Sequence, residues 1–189
     1  MTFPDDLDRR FREAAAAAGL LDVAYDVTES PIGDLLVAST DRGLCNISFD
    51  PDAAANRLAQ AFGRRVLRVP SRLDGVRRQL DEYFEGRREA FELEPDIALL
   101  PPFQRLVLTE LARVPYGQLT TYGTLAARVG HPRAARAVGG ALNRNPIPIV
   151  LPCHRVVGAS GSLTGYAGGL HVKQQLLELE HALLTPSAR

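Results

Sequence analysis

Between residues 23 and 49 apolar and polar positions alternate in short runs, VAYDVTES, GDLLVAST and LCNISF, separated by turn residues. A period of two sends successive side chains to opposite faces of a strand. These runs therefore predict two or three antiparallel strands with a hairpin at Asp41-Arg42-Gly43. The pattern then predicts a helix over residues 52–62, a strand over 66–69 and a helix over 73–84. EAAAAAG (residues 13–19), the one low-complexity patch, reads as a short helix or a frayed arm. Prolines on both sides of PDIALLPP (residues 95–102) mark a linker.

Past the linker the period lengthens. Phe103, Leu106, Val107 and Leu111 recur at helical spacing and predict one apolar face. TTYGTLAARVG reads as a capped helix ending at Gly130, and PRAARAVGGALNR as a second helix after a short turn. Such a pair is a helix-turn-helix or an ordinary helical hairpin. Together these elements predict an α+β fold. A small α/β N-terminal domain with a short antiparallel sheet (residues 1–100) precedes a mainly helical C-terminal domain (residues 101–189).

Charge sharpens the division. The formal net charge of the 189 residues is zero. Residues 1–100, however, hold 13 Lys+Arg against 19 Asp+Glu, and residues 101–189 hold 9 against 3, balances of −6 and +6. Only the second half suits a polyanion such as a phosphate backbone. Hydrophobic content of 46% and charged content of 23% are ordinary for a globular chain. No apolar run is long enough for a membrane span, and the acidic start is unlike a signal peptide, so a cytoplasmic protein is expected. Thiols stay reduced there, which leaves Cys45 and Cys153 free. Two cysteines and four scattered histidines without ligand spacing predict no metal site. Cys45 lies inside a strand pattern and reads as packing.

On the second helix of the pair, Val138 and Leu142 share one face, with Arg136, Gly140 and Asn143 roughly opposite. Gly139 and Gly140 each cost about 1 kcal/mol against alanine inside a helix, so something must offset them. Close approach of the backbone to a partner would do so. The DNA minor groove is only about 6 Å wide, and an Ala/Gly face could press on it with Arg136 as the one long side chain able to enter the duplex. Tight packing on another protein helix is the alternative.

NRNPIPIVLPCHRVV contains Pro146, Pro148 and Pro152 and must be extended or turning. Ile147, Ile149, Val150 and Leu151 would bury it, bringing Cys153 and His154 out at its end. A neighbouring imidazole and guanidinium favour the thiolate, the nucleophilic form. In a simple extended chain His154 would face away, so it could serve Cys153 only through a turn or a bridging water. In HVKQQLLELEHALL, Val172, Leu176, Leu177, Leu179, Leu183 and Leu184 form one apolar arc. Glu180 falls inside it and Glu178 outside. A carboxylate there needs a buried partner. That partner is His154, completing a nucleophile–base–carboxylate set with Cys153, or an arginine in a purely structural pair. On these residues alone, a cysteine hydrolase and a winged-helix regulator with an inert cysteine also remain open.

PCHRV (residues 152–156), preceded by NPIPIVL and followed by GSLTGYAGGL, resembles the active-site signature of the O6-alkylguanine-DNA alkyltransferases, or methylated-DNA–protein-cysteine methyltransferases. FQRLV, VPYG, TYGTLA and RAVGGALNRNP match that family in order, over about residues 101–184. The first half resembles the family's variable N-terminal domain only in layout. The resemblance implies a winged helix-turn-helix and a suicide repair protein that takes the alkyl group from O6 of a flipped guanine in double-stranded DNA onto Cys153. It implies that His154 deprotonates Cys153 through a water, that Glu180 orients His154, and that Asn145 organises the active-site turn. Tyr122 would assist rotation of the nucleotide and protonate the leaving guanine. Arg136 would take the place of the flipped nucleotide, Tyr166 would wall the base pocket, and Ala135, Gly139 and Gly140 would approach the minor groove. No cofactor is implied, and a monomer is expected, with cooperative assembly on DNA left open. Leu108 stands where members often carry tryptophan, and Ala167 where some carry serine. The cysteine-rich zinc domain of the adaptive-response regulators is missing. Related lesion-binding proteins lack the cysteine, which is present here.

Overall fold

A computed structural model of the chain describes residues 10, 12–15 and 17–182. Residues 12–15 are helical, and 13–15 of them belong to the patch read as a short helix or a frayed arm. The chain divides into two compact units, Met1–Glu82 with Glu92–Asp96, and Tyr83–Phe91 with Ile97–Arg189. Residues 83–91 thus group with the second unit, whereas a single cut at residue 100 would leave them in the first.

The first unit is built on a four-stranded sheet in the order β3-β2-β1-β4. Strands β1 (Val23–Thr28), β2 (Leu35–Thr40) and β3 (Gly43–Ser48) form the expected antiparallel meander, with Asp41 and Arg42 in the second turn. Strand β4 (Val66–Arg68) runs parallel to β1, so the sheet is mixed where a purely antiparallel one was expected. The cause is the connection. Helix α1 (Pro51–Phe62) carries the chain back after β3, and the next strand must start from the same end as β1. Asp50 caps α1 by accepting from the Ala53 amide at 3.0 Å, and Pro51 stands where no amide is needed. Ala54 and Leu58 then pack against Val23, Leu36 and Ala38 of the sheet.

Cys45 is half-buried, with its sulfur 3.3 Å from the Ala38 carbonyl. Burial first, and then the Asp96 charge, push its thiol up to about 12. That is the packing role expected. A helix (α2, Asp74–Phe84) follows a 3-10 turn, close to its expected limits. The segment read as a linker is tied to the sheet at its start: Leu44 bridges Pro95, and the Asp96 carboxylate accepts from Thr40 and Arg42.

The second unit contains α3 (Pro102–Leu111), α4 (Tyr122–Arg128), α5 (Ala135–Asn143) and α6 (Leu170–Leu179). A parallel pair, β5 (Thr120–Thr121) with β6 (Val156–Val157), joins the segment before α4 to the segment after Cys153. The buried face of α3 is Gln104, Val107, Leu108 and Leu111. This is rotated from the expected face, since Leu106 is 44% exposed. Leu108, in the family's tryptophan position, is fully buried, a packing residue as expected. Thr121 caps α4 through the Thr124 amide at 3.1 Å, and α5 buries Val138, Ala141 and Leu142.

Gly43 gives the fold a direct test. Its φ is +136°, and a Cβ there would lie 2.2 Å from the Glu94 carbonyl oxygen. Gly33 also has positive φ, +103°, but opens onto free space. Gly33→Ala is expected to cost about 1–2 kcal/mol for backbone strain alone. Gly43→Ala should cost a further ~1–3 kcal/mol because backbone must move. Urea unfolding of the two variants checks the difference, and equal losses would mean the Gly43–Glu94 approach is not a constraint.

Candidate active site

The segment from α5 to Cys153 is fixed by two amides. Gln104 Nε2 donates to the Arg144 carbonyl at 2.7 Å and to that of Ala141 at 3.4 Å, satisfying carbonyls at the end of α5. Asn145 Oδ1 accepts from the Ile147 amide at 3.1 Å, while its Nδ2 donates to the Leu151 carbonyl at 2.8 Å and to Cys153 Sγ at 3.3 Å. One side chain therefore staples the turn and touches the sulfur. Ile149, fully buried, has φ +74°, a conformation β-branched residues rarely adopt. The turn is strained and held by its surroundings.

Cys153–Arg155 is a 3-10 turn, not an extended strand. This turn, one of the two routes open to His154, puts both His154 and Arg155 inside the core. His154 is 0% and Glu180 1% exposed. Glu180 is not in mid-helix. The described helix ends at Leu179 and Glu180 is its C-cap, followed by His181 at φ +55°. Leu183 and Leu184 of the predicted arc lie outside the described residues.

The Glu180 carboxylate collects five donated bonds. Oε1 accepts from Tyr83 Oη–H at 2.7 Å, His154 Nε2–H at 2.8 Å and an Arg155 terminal N–H at 2.8 Å. Oε2 accepts from Arg155 Nε–H at 2.8 Å and the Gly117 amide at 3.3 Å. Both kinds of partner expected for Glu180, a histidine and an arginine, bond to it at once. Gly117, in VPYG, has φ +69°, and a Cβ there would lie 2.9 Å from the Glu180 carbonyl, so glycine is required.

Burial pushes the Glu180 carboxyl up, but its bonds to His154 and Arg155 outweigh that and hold it down at about 2. Burial lowers the proton affinity of His154 against the pull of Glu180. With Nε2 donating to the carboxylate, the other ring nitrogen, Nδ1, is an acceptor; it is buried without a hydrogen-bond partner among the described residues. Burial also raises the Cys153 thiol to about 11, against lowering by the Asn145 amide and the Lys173 ammonium. The expectation that Arg155 favours the thiolate is therefore corrected. Its guanidinium is spent on Glu180 and the Val114 carbonyl, and the resting sulfur is a neutral thiol.

Cys153 opens onto a cavity of about 570 Å³. Tyr122, Ala135, Arg136, Gly139, Gly140 and Tyr166, all singled out in the sequence, line it together with Ala167. Asn145, His154 and Glu180 are not among the lining residues: Asn145 bonds to the sulfur, and His154 and Glu180 bond to each other. Tyr122 and Thr164 share a hydroxyl bond of 2.9 Å across the wall. A Cβ on Gly139 would meet the Tyr122 ring at 3.7 Å, and one on Gly140 the Arg144 guanidinium at 3.7 Å, both ordinary contacts. Packing among the described residues therefore does not demand either glycine. Arg136 is exposed on the same helix.

Three participants carry no expectation from the sequence, Tyr83, Gly117 and Lys173, and the arginine expected opposite Glu180 is Arg155. Lys173 is 0% exposed, and its ammonium donates to the Val156 carbonyl at 2.6 Å and the Thr164 carbonyl at 3.0 Å. By the same helical count that isolates Glu180, Lys173 falls inside the apolar arc, so the signal was present. Tyr83 and Gly117 carry no such local signal. Among the described residues no cluster of His, Cys, Asp and Glu could hold a metal ion.

Residues 102–182 match the family model described as 6-O-methylguanine DNA methyltransferase, DNA binding domain, and residues 23–97 its ribonuclease-like domain. The methylated-DNA–protein-cysteine methyltransferase of Methanosarcina barkeri is 42% identical over 168 residues, 82% of this chain and 96% of that one. The protein of the same name from Mycolicibacterium paratuberculosis is 43% identical, covering 84% and 92%. Among solved structures, Mycobacterium tuberculosis OGT in complex with DNA is similar with a TM-score of 0.74 at 41% identity, over 84% of this chain and 93% of that one. The O6-methylguanine-DNA methyltransferase of Pyrococcus kodakaraensis aligns with a TM-score of 0.63 at 28% identity, over 84% and 98%.

The buried charges predict a pH profile for stability. A histidine of lowered proton affinity contributes fully above pH 6.5 and less as pH falls from there. Glu180 adds about 3 kcal/mol that is present above its ordinary value of 4.5 and lost as pH falls toward about 2. Glu180→Gln leaves Arg155 uncompensated and should cost ~3–5 kcal/mol at pH 7. The variant should also lack part of the decline between pH 4.5 and 2 in urea titrations. Parallel profiles for the two proteins in that window would show that Glu180 is not ion-paired.

Proposed function

The chain belongs to the 6-O-methylguanine DNA methyltransferase family, and from that premise we propose that it repairs O6-alkylguanine in duplex DNA through Cys153, His154 and Glu180. It transfers the alkyl group to its own cysteine. The observation that carries the reading is the placing of these groups in one short turn: Cys153 at the cavity with Asn145 on its sulfur, and His154, the next residue, bonded through Nε2 to Glu180 with Nδ1 left without a partner among the described residues.

With a thiol at about 11, only about one molecule in 10⁴ would hold a thiolate at pH 7 without help. A base inside the site must take the proton as the reaction proceeds. His154 Nδ1 accepts it, directly or through a water, and the resulting imidazolium is stabilised by Glu180. Asn145 Nδ2 stabilises the charge developing on sulfur. Sγ then attacks the alkyl carbon, the carbon–O6 bond breaks, and its electron pair goes to the guanine, which Tyr122 protonates. The product is a thioether with no bond for water to cleave easily, so one molecule performs one turnover.

O6 of a paired guanine lies within the stack, so the base must be flipped into the cavity before sulfur can reach it. α4 and α5 act as the helix-turn-helix of a winged DNA-binding domain. The small face of α5 approaches the minor groove, and Arg136 fills the space left in the stack. Tyr166 forms a wall for the flipped base. The basic second half draws the protein to DNA, and affinity falls as salt rises. The protein acts in the cytoplasm as a monomer.

Intact-mass measurement after incubation with a duplex carrying O6-methylguanine should show a gain of one methyl group per chain. Cys153→Ser should gain none while still binding the duplex. A labelled Cys153→Ser protein would remove the nucleophile from this residue. Arg136→Ala should slow repair of duplex DNA by roughly 10- to 100-fold, because flipping then leaves an unfilled gap in the stack. Its reaction with free O6-benzylguanine should be little changed. Equal losses on both substrates would exclude the role in flipping.

A further inference from the structure

Tyr83 belongs to neither the cavity nor the sulfur, yet its hydroxyl ends on the same carboxylate oxygen as His154. It sits at the end of α2, within the residues that match the ribonuclease-like domain model, and groups with the second unit. Its side chain is fully buried. The ring is seated edge-on to Phe84 at 5.4 Å and Tyr116 at 6.2 Å, and tilted against Phe91 at 5.3 Å. A phenol needs no acid partner to fill such a place, and phenylalanine would fit it. The hydroxyl therefore has to be explained by what it bonds to, which is Glu180 Oε1 at 2.7 Å.

Oε1 serves three donors: Tyr83, His154 and an arm of Arg155. Donors on one oxygen compete for its electron density. Each one that stabilises the carboxylate makes it a weaker acceptor for the others. A stronger acceptor would draw the Nε2 proton of His154 more firmly and make the ring more basic at Nδ1. A ring that is too basic is already protonated at neutral pH and cannot take the proton of Cys153. Tyr83 cannot relieve this by ionising, because burial and the Glu180 charge hold it far above its ordinary range as a permanent donor.

We propose that Tyr83 is a positioning residue for alkyl transfer, whose fixed donation to Glu180 Oε1 limits the proton affinity of His154 so that Nδ1 stays open at neutral pH. The inference rests on His154 being the base for Cys153. The charged and titratable groups that face His154 are Glu180 on its Nε2 side, Arg155 in the same turn, Lys173 from α6, the Tyr166 ring at 6.4 Å, and Cys153 itself. Around Glu180 the remaining polar groups are Tyr83, Arg155, the Gly117 amide and, further out, Tyr116. Of the groups that donate to Glu180, Tyr83 is the one that can lose its donor by removal of a single oxygen without changing a charge.

Tyr83→Phe keeps the ring and its aromatic neighbours. In the full chain, the imidazole of His154 is titrated by NMR with ring-labelled histidine. The rate of reaction with free O6-benzylguanine is measured against pH, which leaves DNA binding out. Tyr83→Phe is expected to move the His154 titration upward by about half a pH unit to one unit, and the acid limb of the rate profile with it. Tyr116→Phe is the control, since that hydroxyl donates to the Leu179 carbonyl at 3.0 Å and not to Glu180. It should leave both curves in place. A Tyr83→Phe protein with an unmoved His154 titration overturns the role of Tyr83. A titration that moves while the acid limb stays overturns His154 as the base, and with it the reading on which the inference rests. A shift of the same size in Tyr116→Phe would mean that the network responds to any loss of a hydroxyl and would also overturn the specific role.

Discussion

A carboxylate with almost no exposure survives in a protein interior only if donors replace the water it has lost. Stripping a charge of its solvent costs several kcal/mol even after the surroundings relax. Glu180 meets that requirement with a guanidinium, an imidazole, a phenol and a backbone amide. These come from three stretches of chain remote from Glu180 in sequence, at Tyr83, Gly117 and His154–Arg155. The need to satisfy one charge therefore closes this part of the second unit around it. It also explains why Gly117 must be glycine, since the amide can approach Oε2 only where no Cβ stands against the Glu180 carbonyl.

The same burial sets the chemistry. Sulfur is reactive as thiolate, and the core surrounding Cys153 opposes thiolate, holding the thiol at about 11. A protein selected for repeated turnover could afford an exposed, pre-ionised thiol, which would also react with stray electrophiles. For a protein that is spent in one reaction, a premature encounter is as final as the intended one. A neutral buried thiol at the inner end of a cavity limits reaction to a substrate that fits that cavity. The strained backbone at Ile149, pinned by Asn145, keeps the sulfur at the cavity although the segment leading to it is buried.

Features carried by local periodicity were legible in the sequence. The meander, α1 and the α4–α5 pair follow from alternation, caps and turn residues. Glu180 followed from one carboxylate inside an apolar arc, and the proline-bounded turn around Cys153 from residues that cannot form helix. What was misread depended on tertiary partners. The face of α3 turned because Gln104, polar by type, is needed inside for the carbonyls of Ala141 and Arg144. β4 runs parallel because of the helical crossover, which single-strand periodicity does not record. Arg155 looked like a partner for the thiol because it is near in sequence, whereas its planar fork matches a carboxylate 25 residues away. Tyr83 is 97 residues from Glu180 and follows no pattern that would mark it. Lys173 is different, because the count that found Glu180 also finds it.

The two glycines of α5 bear on where binding takes place. A glycine inside a helix is destabilising by about 1 kcal/mol relative to alanine. Structures often tolerate this where two backbones within the chain would collide with a methyl group. At Gly139 and Gly140 the neighbours are a tyrosine ring edge and the tip of an arginine, both at ordinary contact distance for a Cβ. Among the described residues no close contact at either position explains the loss, and both glycines line the cavity that reaches Cys153. Under the proposed function, the close approach of DNA to this face accounts for both glycines and for the exposed Arg136 beside them.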